Sequence, residues 1–205
     1  MTLQNEVGIL RTIYAKTEIQ FSDIIQTISL GNHYTHSPKL LGLLTDICGQ
    51  IEYLAEQLCI EFNLPLKNIN DKFTKFFDAL NKNSVLEYQN VYVLSIKDTI
   101  KPFRIFSRNI PDWWHMYNEL KQDYLAKHTG NPLYALAGLY TLHHLAYHMS
   151  RYGTDVFNQQ KWHQDWRGIS DHNMLMESIK HRQHPFRSEI FYCMTKYYDN
   201  NTSTE

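Results

Sequence analysis

Apolar residues along this chain recur mostly at three- and four-residue steps, the period of helices that bury one face. From Ile9 to Leu30 the step is kept by Ile9, Leu10, Ile13, Tyr14, Phe21, Ile24, Ile25 and Ile28, and it weakens over Thr17 to Gln20. The pattern predicts a first helix there. Ser37-Pro38 then offers an N-cap followed by proline at the first helical position, where a missing N–H costs nothing. Leu40, Leu44, Ile47, Ile51, Leu54, Leu58 and Phe62 trace one stripe, widened by Leu41, Leu43, Cys48, Ala55 and Cys59, so a second, strongly buried helix should end near Asn63 and Pro65. Asn70-Asp71 caps a shorter helix through Phe73, Phe76, Phe77 and Leu80, expected to stop at the polar run NKNS.

Between Ser84 and Arg104 the pattern changes. Val85, Tyr88, Val91, Tyr92, Val93 and Ile96 are β-favouring residues without clean alternation, which predicts a short hairpin or an irregular insertion at 84–104. Pro111-Asp112 opens a fourth helix through Trp113, Met116, Tyr117, Leu120 and Leu125, closed by Thr129-Gly130. Asn131-Pro132 restarts the pattern at once. LYALAGLYTLHHLAYHM is apolar on most sides, which marks the most buried helix, paired with its predecessor as a helical hairpin. Beyond Tyr152 the chain is polar and aromatic, KWHQDWRGISDHN, then helical near Met174 to His181, then apolar again at IFYCMTKYY. With no repeat and no composition break, the expectation is one all-α helical bundle over 1–196 with a frayed tail at 197–205.

Composition narrows the function classes. In 205 residues, 20 Lys plus Arg balance 21 Asp plus Glu, so no broad positive field exists for coating nucleic acid, although a local basic patch stays open. Three cysteines, Cys48, Cys59 and Cys193, lack metal-ligand spacing and point to buried thiols in a reducing, cytoplasmic setting. No run of roughly 18 apolar residues exists, and MTLQNEVGILRTIYAK lacks a signal peptide's apolar block, so no membrane association is expected. Glycine-rich phosphate loops, G-x-S-x-G, H-E-x-x-H and paired C-x-x-C motifs are all missing, and no cofactor or metal is implied. Among 11 histidines, His144 and His148 stand four apart on a helix, the spacing for a shared metal, but no carboxylate lies between Asp123 and Asp155 to complete the set. His33, His36 or His163 would have to supply a third ligand from afar. Trp113-Trp114, Trp162 and Trp166 serve as core anchors or as base-stacking platforms.

The most informative stretch is PDWWHMYNELKQDYLAKHTGNPLYALAGLYTL, from Pro111 to Leu142. Pro111, Trp113, Trp114, Tyr117, Asn118, Lys121 and Asp123, followed by Asn131, Ala135, Leu136, Ala137, Gly138 and Leu139, resemble a bacterial group of the HEPN superfamily. That group carries P-x-W-W-x-x-Y-N-x-x-K-H-D-R and then an N-A-L-A-G-L helix. Tyr34, Ser37 and Pro38 in HYTHSPKLLGLL are similar to its upstream helix start, and Pro102-Phe103 to its Pro-Phe. The resemblance implies a HEPN-like helical fold and a homodimer. Active members are metal-independent endoribonucleases that use an arginine and a histidine as R-N-x-x-x-H. Histidine moves a proton at the ribose 2′-hydroxyl while arginine holds the phosphate.

This chain departs at both places. Tyr117 stands at the arginine position, Gln122 at the histidine position, and Tyr124 replaces a further arginine of the pattern. Glutamine is no general acid or base, and a phenol with a pKa near 10 carries no charge at neutral pH. The residues leave three functions open. The first is an RNA-, nucleotide- or partner-protein-binding module of an antiviral defence or toxin system, contacting its ligand through Tyr117, Gln122, Tyr124, Trp114 and Arg108. The second is a variant endoribonuclease using Asn118, Lys121, Asp123 and His115 or His128. The third is a helical-bundle metal enzyme built on His144 and His148. Arg108 with His115 and Arg167 with His172 also satisfy the loose arginine-histidine spacing, at a density close to chance.

Overall fold

The computed structural model describes residues 3–27, 38–68, 70–84, 86–104, 110–122, 132–152, 188 and 190–193. Five helices make up most of it: α1 (Leu3–Thr27), α2 (Pro38–Glu61), α3 (Lys72–Ser84), α4 (Asp112–Gln122) and α5 (Pro132–Tyr152). Strands β1 (Val91–Val93), β2 (Asp98–Ile100) and β3 (Phe191–Cys193) form a small antiparallel sheet in the order β2-β1-β3. The described residues are therefore mostly helical, and the insertion is the short hairpin, one of the two forms expected for it. The expectation of an all-α core needs one correction: the apolar end of the chain supplies a third strand against that hairpin. Val91 pairs with Ile100 on one side and with Cys193 on the other.

α2 and α5 form the centre. The predicted α2 stripe is buried from Leu40 to Cys59, and burying each such side chain contributes about 1.5–3 kcal/mol. The helix stops where predicted, and its end shows why. Asn63 takes the left-handed conformation (φ 49°), its N–H donates to Ile60 O (3.1 Å), and Leu64 N–H donates to Cys59 O (2.9 Å). This is a Schellman closure with asparagine in place of glycine. Asp71 caps α3 through Thr74 N–H (2.8 Å). α3 runs through the NKNS segment to Ser84 instead of stopping before it, and Asn81 Oδ1 accepts Glu87 N–H (2.9 Å) to tie in the short 3-10 turn Leu86–Tyr88.

α1 buries Leu10, Tyr14, Thr17, Glu18 and Phe21 but leaves Ile9, Ile13 and Ile19 exposed, so the helix is narrower in its buried face than its apolar content implied. α5 is buried along almost its whole length, from Leu133 to Met149. Among the described residues no helix is long and apolar enough to cross a membrane. Ser37, Leu125, Thr129-Gly130, Met174 to His181 and the 197–205 tail lie outside the described residues.

Candidate functional site

α4 divides the motif residues between two environments. Trp113, Trp114, Tyr117 and Leu120 face inward, while His115, Asn118 and Glu119 are only half-buried and Lys121 is exposed. Trp114 is 1% exposed and stacks on Phe73 with centroids 3.8 Å apart, so one face of the indole is already covered. Its Nε1 has no hydrogen-bond partner among the described residues. Tyr117 leans on Trp114 at 5.0 Å, and burial, helped by the nearby Cys48 and Glu52 on α2, raises its phenol above the ordinary value. Lys121 Nζ lies 4.1 Å from the Tyr117 ring centre and 5.4 Å from that of Trp114, a cation–π contact on the rim of the core. His115 Nε2 meets Glu119 Oε1 at 3.2 Å one turn along. Gln122 is the last residue of α4. Arg108, Asp123, Tyr124 and His128 lie outside the described residues, as do Trp162, Trp166, Arg167 and His172.

The structure gathers three separated motif elements into one aromatic knot. Gly138 sits where a Cβ would come within 3.3 Å of both Phe103 Cζ and Trp113 Cζ2, so glycine permits the close approach of these rings to α5. Phe103 is fully buried, 5.6 Å from Phe77 and 5.9 Å from Trp113. Trp113 Nε1–H donates to Pro102 O at 2.6 Å. Pro102 and Phe103 are the central residues of a tight turn closed by Arg104 N–H donating to Lys101 O (3.2 Å). Local chemistry and packing agree here: proline suits the second turn position, and phenylalanine anchors the turn from below.

That anchored turn carries Lys101 and Arg104 on its two ends, and both line a cleft of about 450 Å³ between the hairpin and the starts of α4 and α5. Asn90 and Thr99 of the hairpin and Asp112 at the start of α4 supply further polar groups. Trp113, Met116 and Tyr134 supply apolar wall. Sequence reasoning did not single out Lys101, Arg104 or Tyr134. The available signal was the pair of cations flanking Pro102-Phe103. A wider groove of about 740 Å³ between α1 and α2 has a more apolar lining, including Ile9 and Ile13, with Lys16 as its cation.

A second buried polar cluster also escaped the sequence. Glu18 Oε1 accepts from Ser188 Oγ (2.8 Å) and from Ile190 N–H (3.0 Å), and Ser188 Oγ accepts Phe191 N–H (2.9 Å), which ties β3 to α1. Tyr14 donates to Ser188 Oγ at 3.4 Å and meets the His143 ring edge-on at 5.4 Å. Burial holds the His143 imidazole down to about 3, with Arg11 adding to the effect, so it is neutral at physiological pH. His144 is 1% exposed and edge-on to Tyr140 at 4.8 Å.

Among the described residues no three His, Cys, Asp or Glu side chains gather as a metal site. Cys48 and Cys59 are buried free thiols, as predicted. Burial pushes Cys59 up to about 12, and its Sγ–H donates to Phe76 O at 3.7 Å. Burial likewise raises Cys48 well above its ordinary value, although Lys121 pulls the other way. Neither thiol is a nucleophile at neutral pH. No protein-family model, curated protein or solved structure matches this chain.

Proposed function

We propose that this chain is a HEPN-like helical protein that binds RNA or a nucleotide as a module of a bacterial defence or toxin-type system, without the superfamily's nuclease chemistry. The observation that carries this is the placement of Tyr117. The residue at the arginine position is a phenol packed into the core against Trp114 with its proton held more tightly than usual. It offers a phosphate no charge, and Gln122 offers the ribose hydroxyl no base. Asn118 and Lys121 remain on the open flank of α4 as a donor and a cation that can hold RNA without cutting it.

The test is incubation of purified protein with labelled tRNA and mixed RNA in the presence of EDTA, read both by gel shift and for cleavage. Retained RNA without new fragments is the expected result. A second function, the variant endoribonuclease, is favoured by one contact: His115 against Glu119 at 3.2 Å, one turn from Asn118, is an imidazole–carboxylate pair of the kind that shuttles protons. Cleavage by wild type that Asn118→Ala and Lys121→Ala both lose would establish that function and overturn the first. A homodimer belongs to the same proposal, with exposed Ile9 and Ile13, one turn apart on α1, as apolar surface for a second copy. Light scattering at twice 24.4 kDa is the expected mass.

A further inference from the structure

We infer that the cleft between the hairpin and the starts of α4 and α5 is a binding site for one nucleoside phosphate unit, either free or at the end of an RNA strand. The inference rests on the nucleotide-binding function proposed above and adds to the Asn118–Lys121 flank a second, separate place for one nucleotide unit. Three observations lead to this ligand, and Asp112 narrows it. The cleft holds about 450 Å³, within the usual range of roughly 300–1,000 Å³ for small-molecule sites. Lys101 and Arg104 stand at the two ends of one closed turn and both line the cleft, so it offers a phosphate group two cations from a single turn. Met116 and Tyr134 form an apolar wall at the same cleft, suited to a flat base.

Asp112 decides between a nucleotide and a bare anion. A carboxylate only accepts hydrogen bonds at neutral pH, and it repels inorganic phosphate. It favours a ligand that brings hydrogen-bond donors along with its negative charge, such as a ribose hydroxyl or an exocyclic amine. Asn90 and Thr99 on the hairpin add neutral donors and acceptors opposite α4. The site is also preorganised. Phe103 beneath the turn, and the Trp113 indole bonded to Pro102 O, hold the two cations' backbone before any ligand arrives.

The experiment is calorimetric titration of the whole chain with AMP, ADP, adenosine and inorganic phosphate at low salt. A parallel competition uses short RNAs of one sequence ending in phosphate or hydroxyl. AMP or ADP should bind more tightly than either adenosine or phosphate. The double variant Lys101→Gln/Arg104→Gln should weaken AMP by at least about tenfold while its thermal midpoint stays at the wild-type value. Asp112→Asn should narrow the gap between AMP and inorganic phosphate. Displacement of AMP by the phosphate-ended RNA alone assigns the site to a strand end; failure of both RNAs to displace it assigns the site to a free nucleotide. The inference is overturned if no nucleotide binds at millimolar concentration, or if the double variant binds AMP as wild type does. AMP that binds wild type and double variant equally, with long RNA still retained, would overturn the cleft yet leave the RNA-binding function standing. AMP binding without any RNA binding would do the reverse.

Discussion

The two sides of α5 are held by different physics. Gly138 and Tyr147 are nine residues, or two and a half turns, apart and so lie on opposite sides of the helix. On the Gly138 side, the contact is aromatic: Phe103 and Trp113 close on a position without a side chain, and the Trp113 indole donates to Pro102 O. On the other side, Tyr140, His143 and Tyr147 face α1 and β3, where Tyr14, Glu18 and Ser188 form a buried hydrogen-bonded cluster. Arg11 lies 5.3 Å over the Tyr147 ring in the same region. An aromatic contact is indifferent to pH and depends on shape. A buried polar cluster depends on every partner being present and in the right protonation state.

The largest expected effect is on the aromatic side. Phe103→Ala removes a fully buried ring under the turn and should cost about 3–5 kcal/mol, measured by urea unfolding. That cost should be the same at every pH where the protein folds. A loss below about 1 kcal/mol would mean the knot does not support the turn.

The next effect separates the two sides by pH. His143 has a folded-state pKa near 3 against an ordinary value of 6.5, so the folded protein keeps it neutral while the unfolded chain takes up a proton below 6.5. Its contribution is therefore complete above pH 6.5 and is lost as pH falls from there toward 3, with a slope of about 1.4 kcal/mol per pH unit. His143→Phe should flatten that part of the curve of unfolding free energy against pH, whereas Phe103→Ala should shift the whole curve down without changing its shape. Parallel acid limbs for wild type and His143→Phe would refute the assignment.

The sequence showed one side and hid the other. Pro102, Phe103, Trp113 and Gly138 stood out because they are rare residue types in a recognisable order, and packing explains all four. The Ser188–Glu18 bond joins positions 170 residues apart, and no local pattern marks a serine and a glutamate as partners. β3 was read as part of an apolar end because three residues are too few to show alternation. The polar NKNS segment hid the last turn of α3, which local composition disfavours and the Asn81 contact to Glu87 supports. For the site, the motif located α4 and its residues, but only the folded turn places Lys101 and Arg104 beside Asp112 and Tyr134.

A smaller change probes the polar side without altering its charge. Ser188→Ala removes the donor to Glu18 and the acceptor for Phe191 N–H, and should cost about 1–2 kcal/mol. The loss should concentrate in β3: hydrogen exchange of Phe191 N–H should accelerate while the amides of Leu136 to Leu139 in α5 stay protected. Uniform acceleration would show that β3 and α5 open together.

The smallest expected quantity sharpens the comparison most. If the two sides are separate clusters with a helix of roughly 10 Å diameter between them, Phe103→Ala and Ser188→Ala share no partner. Their double variant should then lose the sum of the two single losses to within about 0.5 kcal/mol. The measurement is a double-mutant cycle from urea unfolding at neutral pH, where His143 is neutral in both states and contributes no difference. A coupling above about 1 kcal/mol would mean that α5 shifts as a rigid body when either side is loosened. Disturbing the distant Ser188 would then also move the turn that carries Lys101 and Arg104, and nucleotide affinity in the cleft would fall in Ser188→Ala. With independent sides that affinity stays at the wild-type value, so one pair of variants tests both the packing and its consequence for binding.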